Sequence, residues 1–504
     1  MTGPTAAAHQ AVAAAGALGF STAGQVTVIG LCALTAYLAH LALAVFNDGV
    51  RPFLLDFLHG RTTRSATGAV SFGLSAGFVF GLGAPMALSS GVLNPWLVFL
   101  PTDLLGILAP KKWLAPVLGG AWGAVVVFGL RGANEAAHEL PVDFLTAMQQ
   151  MSTPILYLFT LFPVLAVSKQ FGRLPGAVAG VVELALVVVT MKLWPKVFAG
   201  APAMAAGVLL LIGFAVAKDL RQRRGDRARA ADERALAADN RALAAEAGVP
   251  AQVAPAEAPA AQAEDRPATT EARAATTQAR AAVQRPPVPD DDPMVSLFSA
   301  SAARLRRHLP LFMLLGGGVC LLAQLHIFGG GEATSFLIAK GRSVEAAQVD
   351  FYRAFGFLPL IATTALASGA YGIAGFTFVY PIGYLLPSPW WALVCGALVF
   401  AVEVLALSGI GRVLGGLPSV RDCSEQLRGA IGATLQLALL FGSLLAAQAM
   451  GGGLGILLVG GLYLLNEAMG RVVVRTAAGP AAVVVGGVLL NVLYWLDLFT
   501  PLTS

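Results

Sequence analysis

The chain has 504 residues, of which 57% are hydrophobic and only 12% charged, with a formal net charge of +5. So few charges cannot clothe a water-soluble globule of this size, which points to burial in a lipid bilayer. Nearly half of the charges fall between Lys218 and Arg307, so the small basic excess reads as a set of topology signals rather than a nucleic-acid surface.

An N-terminal segment, 1–24, precedes the first span; Met1 to Gly19 is mainly Ala and Gly, without the early basic residues and cleavage site of a secretory signal, so the first span is expected to direct insertion. A bilayer core of about 30 Å needs roughly 20 apolar residues as a helix. Backbone groups in lipid must be satisfied within the segment, so the long apolar runs predict helices. In a first membrane repeat, 25–217, the runs are Gln25 to Phe46, Thr67 to Ser89, Leu93 to Leu108, Trp113 to Leu130, Met151 to Lys169, Pro175 to Leu193 and Ala199 to Ala217. The third is short and holds Pro101, Thr102 and Asp103.

Residues 218–308 differ in character, and Arg221 to Asp292 is Ala-rich, Pro-dotted and charged. Its start, through about Ala247, favours helix, so the preceding span should extend. Val249 to Asp292 lacks the apolar content to offset ordering entropy and is expected to be a disordered tether. Basic clusters at both ends, Arg221, Arg223 and Arg224, then Arg304, Arg306 and Arg307, place this linker in the cytoplasm.

A second membrane repeat, 309–504, holds the runs Leu309 to Phe328, Arg353 to Ala370, Ile373 to Leu386, Trp390 to Leu407, Ala430 to Met450, Leu454 to Ala468 and Pro480 to Thr500. Its third run is again short and contains a proline, Pro381. At an offset of 277 residues, Gly106, Pro110, Trp113, Gly119 and Pro141 fall on Gly383, Pro387, Trp390, Gly396 and Pro418. The shared Trp and prolines argue for duplication. An odd number of spans inverts the second copy, and Arg51, Arg61 and Arg64 after the first span put its exit inside, as seven spans require. The expectation is therefore an all-α integral membrane protein of about 14 transmembrane helices, two inverted-topology repeats of about seven with short broken third helices.

Ionisable groups within a membrane are functional candidates. Asp103, with Thr102 beside it, could hold a proton, a sodium ion or a substrate donor, or could cap a half-helix. Thr363, Thr364 and Ser368 could form a ligand cradle, or could bond their own helix. Thr377 and Tyr380 enter the second broken span and join the substrate-binding set. Glu183 and Glu403, in apolar stretches, are candidate protonatable coupling groups or partners of a neighbouring helix. Asn466 and Glu467 form a polar turn with Arg471, where a structural i,i+4 ion pair is the simpler reading. Asn47, Asp48 and Arg51 mark a hinge or gate. The four cysteines and six histidines show no metal-ligand spacing, and there is no Walker loop or H-E-x-x-H. No metal, no cofactor beyond a coupling H+ or Na+, and no enzymatic chemistry are expected.

Seven segments carry a resemblance to a known family: FNDGVRP at Phe46 to Pro52, SFGLSAGF at Ser71 to Phe78, LPTDLLG at Leu100 to Gly106, FLPLIATTALASG at Phe357 to Gly369, AGFTFVY at Ala374 to Tyr380, NEAMGR at Asn466 to Arg471 and LNVLYWLDLF at Leu490 to Phe499. With these the chain resembles the YhfT family of bacterial membrane proteins, which implies transport without an established substrate or binding residues. Members are encoded beside pyridoxal-phosphate enzymes and phosphotriesterase-like hydrolases, which implies a small amino or phosphorylated metabolite. The Ala and Pro linker is longer than the family leads one to expect. The seven-plus-seven plan is similar in architecture to dimeric elevator carriers of nucleobases and anions. A secondary transporter of a small polar, anionic metabolite in the bacterial inner membrane, working as a homodimer, is the leading expectation. A permease subunit of a multi-component or phosphotransferase-like system comes second, and a nontransporting scaffold or receptor third.

Overall fold

The computed structural model describes residues 19–47, 75–76, 78–195, 197–246 and 293–501. In chain order the α-helices are α1 Thr22–His40, α2 Ala84–Ser90, α3 Pro95–Leu108, α4 Leu114–His138, α5 Phe144–Met148, α6 Ser152–Phe159, α7 Phe162–Phe171, α8 Arg173–Leu193 and α9 Gly200–Glu246. They continue as α10 Pro293–Arg307, α11 Leu309–Gln324, α12 Glu332–Ala339, α13 Ser343–Ser368, α14 Val379–Leu385, α15 Pro389–Gly416, α16 Pro418–Ala468 and α17 Arg475–Trp495. Among the described residues the only β-type pairings are two isolated bridges. Among the described residues, eight helical segments are long and apolar enough to cross a membrane, nine if the pair Phe298–Arg307 and Leu309–Gln324, bent by 72°, counts as one span.

That count is lower than the fourteen apolar runs, for local reasons. The helices α3 and α14 are short, though Pro101, expected to break its span, lies inside a continuous α3 that starts at the Asn94 cap, and α13 carries Glu345, Asp350 and Arg353 in its first half. The last two full runs before α17 merge into α16, which breaks at Gly452 (φ 55°, ψ −134°). A β-carbon on Gly455 would strike the Ala447 carbonyl, and one on Gly460 would meet Leu444, so the two arms of α16 fold back on each other. The second expected span lies partly outside the described residues, as do Asp48 and the tether. Helix α9 runs unbroken from apolar Gly200 through the charged, Ala-rich stretch to Glu246.

The same local geometry occurs twice. After α1 and α11 the chain turns through a left-handed residue, Ala42 (φ 52°) or His326 (φ 58°). The N–H of Leu43 then bonds Leu38 O, and that of Ile327 bonds Leu322 O. Helices α2 and α13 both end in a left-handed glycine, Gly91 (φ 70°) or Gly369 (φ 64°). Just before it, Ser90 Oγ bonds Met86 O, and Ser368 Oγ bonds Thr364 O, each at 2.7 Å. Gly106 packs on Ala36 and Ala39 as Gly383 packs on Cys320 and Ala323, and Gly119 and Gly396 repeat the pattern one crossing away.

The extended segments behind these turns cross between the halves. Val45 N–H donates to Tyr371 O and Tyr371 N–H to Leu43 O, while Gly329 N–H donates to Leu93 O and Leu93 N–H to Ile327 O, all at 2.8 Å. A broken helix frees backbone donors and acceptors that must be paired away from water. Here each break satisfies the other. Phe46, Phe99, Phe328 and Phe376 stack between the two crossings, with Phe99 and Phe376, a pair at the 277-residue offset, 5.1 Å apart.

Candidate functional site

Asp103 is fully buried, and its Oδ2 accepts the N–H groups of Phe46 (2.6 Å) and Asn47 (2.9 Å). A carboxylate receiving two backbone donors is a strong, charge-assisted arrangement. It serves the segment leaving α1, not its own helix. The cap of α3 is Asn94, whose Oδ1 accepts Leu97 N–H at 3.0 Å. Thr102 donates to Phe99 O at 2.7 Å within α3.

At the equivalent position of the second half stands Tyr380, and the chemistry changes. Gly330 N–H donates to Tyr384 Oη (2.8 Å), which in turn donates to Asp350 Oδ2 (2.9 Å). Asp350 is fully buried, and Arg353, with a side chain 12% exposed, lies 3.0 Å from its Oδ1. The same guanidinium donates from Nη2 to Gly330 O at 2.6 Å. The first break is thus stabilised by a carboxylate from the short helix α3. The second draws a carboxylate and a guanidinium from α13.

A cavity of about 170 Å³ opens beside this second break. Its polar lining is Arg353, Thr377, Tyr380 and Gly330, and the rest is apolar and aromatic, including Trp96 at the head of α3, Phe159, Phe198 and Phe357. The Tyr380 hydroxyl and Arg353 Nε are buried and have no hydrogen-bond partner. Burying such groups unpaired costs about 1–3 kcal/mol each, more where charge is involved, and both atoms are closed off from the cavity that their residues line. Ligand sites have this make-up of an apolar hollow with few convergent polar groups.

Thr377 and Tyr380 are therefore brought to one place, while the other expected residues serve elsewhere. Thr364 accepts from Arg428 at 3.3 Å, and Ser368 closes the turn after α13. The side chain of Thr363 and all of Asp48 lie outside the described residues. Glu403 accepts from Tyr371 Oη at 2.7 Å, behind the crossing. Glu183 is 1% exposed against Gly207 of α9, and neither of its oxygens has a hydrogen-bond partner. Asn466 exchanges two 2.8 Å bonds with Val473, and Glu467 pairs with Arg471 (3.0 Å) and Arg475 (2.7 Å), a polar knot between α16 and α17. No group of three or more metal-ligating side chains converges among the described residues.

Asp350 and Arg353 were missed in the sequence. Their signal was present in VDFYRAFGF: an i,i+3 pair of opposite charges running into an apolar span. Placing the start of that span at Arg353 made the pair look like a boundary.

A family model named YhfT and described as a protein of unknown function matches residues 25–247 and 258–499. An Escherichia coli (strain K12) protein described as uncharacterized protein YhfT is 36% identical over 490 residues, covering 95% of this chain and 99% of that one. No solved structure matches the chain.

Proposed function

The chain belongs to the YhfT family, and from that premise we propose that it is a secondary-active transporter of a small polar, anionic metabolite across the bacterial inner membrane. It is a carrier, not an enzyme, built as about fourteen spans in two inverted-topology repeats, and it works as a homodimer with elevator-like alternating access. The observation that carries the reading is the cavity at the second helix break, an apolar and aromatic hollow into which Arg353, Thr377 and Tyr380 are brought together. The twofold recurrence of turns and crossed hydrogen bonds supports the repeat, since ligand sites of such carriers sit at broken helices where the repeats meet. The energy source is an H+ or Na+ gradient.

The test is reconstitution of the purified full chain into liposomes, followed by uptake from a panel of anionic, zwitterionic, cationic and neutral metabolites under imposed gradients. Uptake of one class that collapses with the gradient is expected. Uptake that appears only when soluble proteins encoded beside it are added would replace this reading with a permease subunit of a multi-component system. No uptake under either condition would overturn transport.

A further inference from the structure

We infer that Glu183 is the site of the coupling proton: its carboxyl takes up one proton and holds it shut between α7, α8 and α9, directly behind the wall of the cavity. The inference rests on the carrier reading. Of the two gradients which that reading allows, it selects H+ over Na+ and names the residue that carries the ion.

Glu183 stands in the middle of α8, in the run LPGAVAGVVELALVVV, which is otherwise without a charge. Leu174, Val181, Leu184 and Val188 of that run are exposed, whereas Glu183 is buried where α8 packs on α7 and α9. A carboxyl at such a place is costly unless the fold is shaped for it. The fold is so shaped. A β-carbon on Gly207 of α9 would strike Glu183 Oε1 and Pro163 of α7, so the carboxyl occupies the space that a side chain at 207 would fill. Pro163 follows Phe159 by four residues and Gly207 follows Met204 by three, and both Phe159 and Met204 are wall residues of the cavity. About one helical turn therefore separates the carboxyl from the cavity lining.

The surroundings of the carboxyl decide what it can hold. Neither oxygen has a hydrogen-bond partner. Helix α7 carries no charge before Lys169 and α9 none before Lys218, and the other charges of α8, Arg173 and Lys192, lie at its two ends, so no charged group faces Glu183 from any of the three helices. An ionised carboxylate with neither counter-charge nor donor is strongly disfavoured there. A hard cation such as Na+ needs several oxygen ligands, and this place offers one carboxyl. No group of three or more metal-ligating side chains converges among the described residues. A proton needs only the carboxyl itself. One carboxylate oxygen forms an O–H bond to a proton delivered from water, and the side chain becomes a neutral acid in its apolar notch. Both oxygens are closed off, so loading and release require α8 to part from Pro163 and Gly207.

The test is labelling of the purified full chain by the apolar reagent dicyclohexylcarbodiimide, read by peptide mass mapping. The reagent reacts with the protonated acid: the O–H adds across one C=N bond, oxygen bonding to carbon and the proton passing to nitrogen, and nothing leaves. Glu183 is expected to be labelled, less so as the medium is made alkaline, and equally in sodium and potassium salts. A water-soluble carbodiimide should leave it unmodified. No labelling of Glu183, or protection by Na+ and not by K+, would overturn the inference. Glu183→Gln keeps the shape of the side chain and should fold and lose the label. In liposomes, with the solute that the uptake panel returns, this variant should still exchange solute across the membrane but no longer accumulate it under an imposed pH gradient. Accumulation at the parent's level would reduce Glu183 to a structural acid and overturn the coupling role. Failure is separable from that of the carrier reading. Uptake driven by a Na+ gradient with Glu183 unlabelled sinks only the inference, whereas the expected labelling in a protein that moves no solute leaves a proton site and sinks the carrier.

Discussion

Glu183 and Asp103 are both buried carboxylates in apolar surroundings, yet their environments are opposite. Asp103 collects two backbone donors, whereas Glu183 lies between α8 and α9 with no hydrogen bond to either oxygen. An unpaired carboxylate in such a place costs several kcal/mol if ionised. Glu183→Gln keeps the shape and removes that penalty, so the thermal midpoint of the purified protein should hold or rise. A fall of more than a few degrees would mean that Glu183 has a partner. Asp103→Ala should do the reverse. It strands the N–H groups of Phe46 and Asn47, at a cost of about 2 kcal/mol or more. The variant should melt well below the parent, with Asp103→Asn between them.

The elements show which features a linear reading can reach. Gly106 and Gly383, Pro110 and Pro387, and Trp113 and Trp390 align at one offset, and the short helices α3 and α14 sit where the two short apolar runs are. Each of these is a local property of the chain. The site is not local. Gly330 comes from the segment after α11, Tyr384 from α14, and Asp350 with Arg353 from α13, and only the crossed extended segments bring them together. The asymmetry between halves was equally hidden. Equivalent positions hold Asp103 and Tyr380, so a symmetry argument from Asp103 finds the right region with the wrong carboxylate. The glycines make the duplication testable. Gly106→Val and Gly383→Val each drive a side chain into the neighbouring helix, α1 or α11. Overpacking of this kind costs about 1–3 kcal/mol. The two variants should lose comparable amounts of monodisperse protein in detergent, and a loss confined to one half would argue against equivalent helix crossings.

At the scale of the whole molecule, orientation turns on α16. If it is one span, the chain ends on one side of the membrane; if its arms are two spans joined at Gly452, parity changes for everything after it. The fold-back at Gly452 favours two, with Gly453 exposed at the tip and clear of other atoms. On the proposed plan of seven spans per half, the charged end of α9 would lie in the cytoplasm, together with the Glu467, Arg471 and Arg475 knot, and the tip at Gly453 outside. The native cysteines Cys32, Cys320 and Cys423 are buried and Cys395 is half-buried, so a cysteine-free background can report on introduced ones. Gly453→Cys should react with an impermeant maleimide in intact spheroplasts, and Ala231→Cys only after permeabilisation. Reaction of both from one side would remove the inverted repeat. Without it, equivalent helix breaks would no longer face opposite sides of the bilayer, and a cavity at their crossing would lose the geometric reason to open to each side in turn.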